Sequence, residues 1–131
     1  MKKVKIVHPD RDPDFDTGAY SDAIVCDGFL YTSGQASVDF ATSKFDLGTI
    51  EEETIKTLDN IKAIIEVAGG ALENILKCTV HLSDINNFDR FNTVYASYFE
   101  GIIPPARTTV QSILAENLKV EIDVVVKLPK I

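Results

Sequence analysis

The stretch "VEIDVVVKL", residues 120–128, alternates between two kinds of side chain. In a β-strand successive side chains point to opposite faces, so every second residue belongs to the same face. The first face is entirely aliphatic and comprises Val120, Ile122, Val124, Val126 and Leu128. The second face is mixed and comprises Glu121, Asp123, Val125 and Lys127. The stretch therefore predicts a strand that packs one face on the core and leaves a partly apolar face free.

Four other regions have the composition of strands, because they are rich in β-branched and apolar residues. They are residues 4–7, 23–34, 75–82 and 107–114. The second region predicts a hairpin, because Asp27 and Gly28 separate two apolar runs and Asp-Gly is a favoured two-residue turn. Residues 8–22 are rich in Asp and Pro and predict a long loop, and residues 35–48 allow one more short strand.

Two amphipathic helices are predicted between the strands. The first spans residues 51–70, begins with three glutamates that suit the positive end of the helix dipole, and ends at a Gly-Gly pair. Its apolar stripe comprises Ile55, Leu58, Ile61, Ile65 and Ala68. The second helix is capped by Asp84 and runs to about residue 100. Its stripe comprises Ile85, Phe88, Asn92, Tyr95 and Phe99.

The order of these elements predicts an α+β fold, a two-layer sandwich in which two helices cover one face of a mixed β-sheet. A turn over residues 114–119 would pair the last two strands antiparallel and place Arg107 and Glu121 on the same face, several residues apart. A pocket between them could hold a small anion and a water molecule. The free, partly apolar face of the sheet predicts packing against another subunit, and hence a homo-oligomer.

Composition and charge restrict the class of protein. The 131 residues fit one domain, residues 1–131, with a real core. The net charge of −7 and the lack of a basic run argue against nucleic acid and anionic membranes as partners. No stretch of the sequence has the character of a membrane span or a secretory leader, and the two cysteines are isolated, so we expect reduced thiols in a cytoplasmic protein.

Three polar residues stand out from apolar surroundings. Arg107 opens a β-branched strand, Glu121 interrupts another, and Asn92 lies on a helix stripe where packing would favour a hydrophobe. Each has a plain structural explanation: a surface or salt-bridged arginine, a glutamate facing water on an edge, and an amide bonded between helix and strand. The functional interpretation takes the guanidinium as a bidentate clamp for a carboxylate, with Asn92 in contact with the same ligand.

Several chemistries find no support in the sequence. A hydrolytic triad needs a histidine base, and the chain offers only His8, near the N-terminus, and His81, inside a strand. No group of Cys, His and carboxylates has metal-ligand spacing, and no glycine motif for a nucleotide or phosphate occurs. The sequence therefore leaves two possibilities: catalysis without a metal or cofactor, and binding without catalysis.

The two segments "PPARTTVQS" and "VEIDVVV" resemble the C-terminal signature of the YjgF/RidA family, also described as endoribonuclease L-PSP. Three further motifs match in order: "GAYSDA" at residues 18–23, "YTSGQ" at residues 31–35 and "FNTVYASYF" at residues 91–99. The segment "TLDNIKAIIEVAGG" also resembles the first helix of the family. The resemblance extends over nearly the whole chain from about Gly18.

This resemblance implies a chorismate-mutase-like fold and a homotrimer whose sheets form a barrel, with active sites in the clefts between subunits. The implied activity is the hydrolytic deamination of reactive 2-imino acids, 2-iminobutanoate and 2-iminopropanoate, to 2-oxo acids and ammonia. These imines arise from enamines such as 2-aminoacrylate, and no cofactor is used.

The family's site residues transfer to matching positions of this chain. Arg107 would bind the substrate carboxylate, and Glu121 would hold or activate the attacking water. Tyr20, with Ser33 and the backbone at Gly34, would orient substrate and water. The substrate-binding set would be completed by Asn92 and Thr109.

The chain also departs from the family pattern, at Ala19 and Asp22, where Pro and Gln are frequent, and at Thr109, where Cys is frequent. These departures bear on substrate preference. Two other functions stay open: a non-catalytic trimeric module that binds a small carboxylate or contacts another protein, and a ribonuclease. The net charge and the scarcity of histidine weigh against the ribonuclease.

Overall fold

The computed structural model describes residues 2–130 and divides them into strands, helices and short 3₁₀ turns. The strands are β1 (Val4–Ile6), β2 (Ala23–Cys26), β3 (Phe29–Thr32), β4 (Val38–Asp39), β5 (Lys44–Phe45), β6 (Ile75–Leu82), β7 (Ala106–Gln111) and β8 (Val120–Lys127). The helices are α1 (Ile50–Val67) and α2 (Phe88–Tyr98), and the 3₁₀ turns cover Leu72–Asn74, Ile85–Asn87 and Ala115–Asn117. The predicted strands are therefore present, and residues 35–48 form a small β4–β5 ladder.

Six strands form one mixed sheet in the order β1-β2-β3-β8-β6-β7. Every neighbouring pair is antiparallel except β6 and β7, which run parallel. The aliphatic face of β8 is buried with the inward residues of α1 and α2, which together form the core. These features confirm the α+β two-layer fold and the predicted alternation of β8, because its second face remains only half-buried.

The hairpin of β2 and β3 follows the predicted turn. Asp27 and Gly28 both adopt positive φ, at 53° and 79°, which a two-residue hairpin turn of this kind requires. Glycine adopts this conformation without steric cost, and Asp is one of the residues that tolerate it. The turn therefore fixes the register in which Tyr31 pairs with Ile24.

Helix α1 begins one residue earlier than predicted and buries most of the predicted stripe, including Leu58, Ile61 and Ile65. Thr49 caps it, and Glu52 completes a capping box by accepting from the Thr49 backbone N–H. Ile55 is exposed, which corrects the predicted stripe, because Thr54 and Thr57 occupy the arc of the helix nearest the sheet. The helix ends before Gly69, whose positive φ terminates the hydrogen-bond ladder.

Helix α2 begins later than predicted. Asp84 caps the 3₁₀ turn Ile85–Asn87 instead of the α-helix, by accepting from the Asn86 N–H. Ile85 is therefore exposed, and the buried residues of this region are Phe91, Tyr95 and Phe99. Within residues 2–130, neither α1 nor α2 combines the length and the apolarity that crossing a membrane demands.

The predicted pairing of the last two strands is wrong, because β6 lies between β7 and β8. The chain leaves β6 through α2 and returns as β7 alongside it, which makes β7 parallel to β6 and leaves the other edge of β6 for β8. Arg107 pairs with Cys78, which faces the core, whereas Glu121 pairs with His81, which faces away from the helices. Arg107 and Glu121 thus lie on opposite faces of the sheet, not on the same face as predicted.

Candidate functional site

Arg107 is the second residue of β7, and its side chain lies beneath α2. Its Nη1 donates a hydrogen bond of 2.8 Å to Oδ1 of Asn92. The guanidinium carbon lies 4.8 Å from the ring centre of Tyr95, 5.4 Å from that of Phe88 and 5.7 Å from that of Phe91. These contacts fix the orientation of a permanently charged group against aromatic rings, an arrangement that stabilises arginine by cation–π attraction.

Within residues 2–130, no carboxylate lies within 4.0 Å of the Arg107 guanidinium; the ion pairs of this part of the chain involve other cations. The arginine borders a cleft of about 410 Å³ between α2 and the start of β7. Its lining comprises Asn92, Tyr95, Ala96, Phe99, Pro104, Pro105 and Arg107. A positive charge without an acidic partner, at the end of a mostly apolar cleft, suits a ligand with one carboxylate and a small apolar group.

Thr109 follows Arg107 by two residues and lies on the same face of β7. Its Oγ1 is buried and has no hydrogen-bond partner among the described residues. An unpaired buried hydroxyl costs free energy, so the group is suited to bond a ligand or water. We call Asn92, Arg107 and Thr109 the arginine cluster.

Two residues beside the arginine cluster serve the core. Cys78 is fully buried, and burial raises the pKa of its thiol to about 11. Burial likewise raises the pKa of the Tyr95 hydroxyl far above its usual value. Both groups therefore stay neutral at physiological pH, and the thiol is not an activated nucleophile.

Glu121 lies on the opposite face of the sheet, at the start of β8, and contacts Gly34. A Cβ atom placed on Gly34 would come within 2.6 Å of Oε2 of Glu121, closer than real Cβ contacts. Reciprocal backbone hydrogen bonds of 2.8 and 2.9 Å between Gln35 and Ile122 hold the two segments together. Glycine at position 34 is thus what allows the carboxylate to lie against the backbone.

Ser33 and Tyr20 adjoin this contact. The Ser33 hydroxyl donates to the carbonyl of Ser21 at 2.6 Å. The side-chain amide of Gln35 donates to the Tyr20 hydroxyl at 3.5 Å and to the Ser33 carbonyl at 3.2 Å. Tyr20 and Ser33 border an open cleft of about 700 Å³, and burial, followed by the charge of Asp22, raises the pKa of Tyr20. We call Tyr20, Ser33, Gly34 and Glu121 the glutamate cluster.

The structure therefore divides the seven predicted site residues into two groups. Asn92 and Thr109 lie with Arg107, and Tyr20, Ser33 and Gly34 lie with Glu121. Within one chain the sheet separates the two groups, so the predicted single-chain pocket between Arg107 and Glu121 is wrong.

The sequence interpretation overlooked Gln35, which is buried and bridges Tyr20 and Ser33. Its position directly after the Ser-Gly pair, between two apolar stretches, was a signal for such a role. His81, set aside as a triad base, lies opposite Glu121, and its Nδ1 is 2.8 Å from the Ser112 hydroxyl. Among the described residues, no group of three or more His, Cys, Asp or Glu side chains could hold a metal ion.

Comparison with known proteins defines the family. The family model described as endoribonuclease L-PSP matches residues 14–128, nearly the whole chain. The chain belongs to this family, which includes the YjgF/RidA proteins. A RutC family protein of Pyrococcus horikoshii is 42% identical over 109 residues, which cover 82% of this chain and 86% of the relative. A Rattus norvegicus protein named 2-iminobutanoate/2-iminopropanoate deaminase is 34% identical over 108 residues, covering 82% of this chain and 79% of the relative.

Solved structures of Rid proteins share the fold. A Rid family protein of unknown function from Yersinia pestis superposes with a TM-score of 0.88 at 37% identity, over 97% of this chain and 100% of the other. The E. coli protein TdcF, whose structure contains bound serine, gives a TM-score of 0.84 at 29% identity, over 96% of this chain and 100% of the other. The expected YjgF/RidA membership is therefore confirmed.

Proposed function

We propose that this protein hydrolyses 2-imino acids, such as 2-iminobutanoate and 2-iminopropanoate, to 2-oxo acids and ammonia. The observation that carries the proposal is an arginine fixed by Asn92 and aromatic rings, with no carboxylate partner among residues 2–130. A substrate carboxylate would supply that partner. The name of the rat relative supports the same reaction.

The active site would form between two copies of the chain. The arginine cluster and the glutamate cluster face opposite sides of one sheet, so a cleft that contains both needs a second subunit. The surface supports such an assembly: Ile103 and Ile113, at the two ends of β7, are 90% and 102% exposed, and Tyr31 on the free face is half exposed. A homotrimer with three equivalent clefts satisfies this requirement with closed symmetry.

The residues of the two clusters supply the groups that this hydrolysis needs. Asn92 occupies Nη1 of Arg107, which leaves other guanidinium N–H groups to bind the substrate carboxylate. Glu121 takes a proton from water as the water oxygen bonds to C2 of the imine, and it gives this proton to the imine nitrogen, which forms a neutral carbinolamine. Glu121, again a carboxylate, then takes the proton of the carbinolamine hydroxyl and passes it to the nitrogen as the C–N bond breaks, so that the 2-oxo acid forms and ammonia leaves. Tyr20 and Ser33 orient the water and the substrate.

The test measures ammonia release from imino acids generated in place by an amino-acid oxidase. We expect the protein to accelerate release above the spontaneous rate. Arg107→Ala should lower kcat/KM by about 10²- to 10³-fold, because hydrogen bonds to a charged group contribute about 1.5–3 kcal/mol each. Arg90→Ala is the matched control, since Arg90 forms an exposed ion pair with Glu51. Equal rates with and without protein would refute the proposal.

A second candidate is a module that binds a small carboxylate without turnover. The bound serine in the structure of E. coli TdcF favours it, because serine is a small molecule with a carboxylate. Saturable binding of 2-oxobutanoate that Arg107→Ala abolishes, together with no ammonia release by the wild type, would select this candidate. Ribonuclease activity is disfavoured by the net charge of −7.

A further inference from the structure

The loop of residues 8–22 is held by a buried ion pair. Nε and Nη2 of Arg11 donate to the two carboxylate oxygens of Asp22 at 2.9 and 2.8 Å. The side chains are 11% and 1% exposed, so both charges are nearly removed from water. Asp22 Oδ2 also accepts from the backbone N–H of His8, which ties the start of the loop to its end.

Aromatic rings enclose the same guanidinium. The Arg11 guanidinium carbon lies 4.1 Å from the ring centre of Phe15 and 4.6 Å from that of Phe40. The His8 ring stacks on Phe40, with centres 3.9 Å apart and planes 7° from parallel. Contacts with two rings and two parallel hydrogen bonds restrict the orientation of the Arg11 guanidinium and of the Asp22 carboxylate.

The ion pair is connected to the glutamate cluster through the backbone. The carbonyl of Asp22 accepts from the Ser33 N–H at 2.9 Å, and the carbonyl of Ser21 accepts from the Ser33 hydroxyl at 2.6 Å. Tyr20 precedes Asp22 by two residues, and its ring centre is 5.9 Å from the Arg11 guanidinium carbon. A displacement of the backbone at Asp22 would therefore shift Ser33, which is hydrogen-bonded to it, and Tyr20, which is two residues away.

We infer that Arg11 and Asp22 form a positioning pair that holds Tyr20 and Ser33 in the geometry which the proposed reaction needs. The inference rests on the proposed function for its catalytic consequence, but not for its structural content. The pair does not touch the substrate. It acts through the Ser21 and Asp22 carbonyls and through the placement of the Tyr20 ring.

The experiment compares Asp22→Asn, Arg11→Lys and the control Arg90→Lys with the wild type. Arg11→Lys keeps the charge and removes the two-pronged geometry, so it avoids leaving an unpaired buried carboxylate. Arg90→Lys makes the same change in an exposed pair, in which Arg90 also binds Glu51 through two hydrogen bonds. Circular dichroism and thermal unfolding establish that each variant is folded.

The structural readout is the pH titration of Tyr20, followed by NMR of isotope-labelled tyrosine and assigned with Tyr20→Phe. The chain has four tyrosines and no tryptophan, which keeps the spectrum simple. In the wild type, burial and the Asp22 charge raise the pKa of Tyr20 above 10.0. Asp22→Asn removes a charge that itself raises this pKa, so the informative variant is Arg11→Lys, which keeps the charge. We expect Arg11→Lys to move the pKa toward 10.0 because the displaced ring becomes more exposed, and Arg90→Lys to leave it in place.

The kinetic readout is kcat against KM for imino-acid hydrolysis. Because Arg107 binds the carboxylate, we expect KM to change little and kcat to fall by about 10- to 100-fold in both variants of the pair. An unchanged Tyr20 titration in folded Arg11→Lys would overturn the inference. If the wild type shows no hydrolysis, the proposed function fails, while the Tyr20 titration still decides whether the pair positions this residue.

Discussion

The arginine cluster and the glutamate cluster are built in different ways. Arg107 and Asn92 belong to a strand and a helix, and three aromatic rings surround the guanidinium. Tyr20 lies on a long loop, and Ser33 and Gly34 follow the end of β3. The positions of these three residues therefore depend on backbone hydrogen bonds and on the Arg11–Asp22 pair.

The difference indicates a division of labour. A group that binds a common feature of all substrates, the carboxylate, gains from a rigid position on regular secondary structure. In the glutamate cluster only Glu121 lies on a strand, whereas Tyr20, Ser33 and Gly34 lie on loops, which change in sequence without loss of the fold. Substitutions in the two clusters should therefore have different consequences.

The largest effect should come from combining defects in the two clusters. Arg107→Ala and Glu121→Gln should each be nearly inactive as pure proteins. When the two variants are refolded together in equal amounts, about three quarters of the random trimers contain both variants, and each of these trimers has one intact cleft out of three. The mixture should therefore recover about a quarter of the wild-type activity.

Activity can return in the mixture only if the arginine cluster of one subunit and the glutamate cluster of another form one cleft. A mixture as inactive as its components would show that both clusters act within one chain, or not at all. The control mixes two batches of Arg107→Ala, one of them tagged, and verifies by pull-down that subunits have exchanged.

The comparison also shows what the sequence could predict. Alternation along residues 120–128 correctly assigned Glu121 to the free face, because side-chain direction in a strand follows from position alone. The face of Arg107 could not be obtained in this way, since it depends on which strand pairs with β7 and in what register. Pairing with β6 instead of β8 placed the arginine beneath α2.

Local interactions were likewise easier to predict than distant ones. The Asp27–Gly28 turn and the end of α1 at Gly69 follow from backbone preferences of single residues. The Arg11–Asp22 pair joins residues 11 positions apart in a loop without periodicity, and no pattern indicated it. The bidentate bond between Arg90 and Glu51, 39 positions apart, was equally invisible.

A smaller effect should follow from crowding the glutamate cluster. In Gly34→Ala the new Cβ would approach Oε2 of Glu121 to 2.6 Å, so the carboxylate must move. We expect kcat to fall by about 100-fold with little change in thermal stability, because a misplaced base loses alignment with the water. Gly48→Ala is the matched control, since its Cβ would crowd the Glu52 carboxylate at 2.9 Å, away from both clusters. Equal kcat values for the two variants would contradict this role of Gly34.

A negative charge placed beside Arg107 tests whether its guanidinium is free to bind a substrate carboxylate. Asn92→Ala removes one hydrogen bond of Arg107 and should raise KM by about fivefold to tenfold. Asn92→Asp has nearly the same shape but supplies the carboxylate that Arg107 lacks, so it should raise KM by roughly 30-fold, with unchanged or higher stability. Asn86→Asp adds the same charge to an exposed residue of the turn before α2 and should have no such effect. A smaller KM increase for Asn92→Asp than for Asn92→Ala would contradict a free Arg107.

The smallest effect concerns the pH dependence of the stability of the loop that carries Tyr20. His8 is 5% exposed and stacks on Phe40, and burial lowers its pKa from 6.5, which favours the neutral imidazole in the folded protein. As the pH falls below about 6.5, the unfolded chain binds more protons at this residue than the folded chain, so stability falls with the pH. His8→Phe keeps the stacking but removes this proton uptake. Between pH 7.5 and 5.5 the free energy of unfolding of the wild type, measured by thermal unfolding, should therefore fall by up to about 1 kcal/mol more than that of His8→Phe. Parallel stability curves would show that the imidazole is protonated in the folded state, and that the loop carrying Tyr20 tolerates a buried cation beside Arg11.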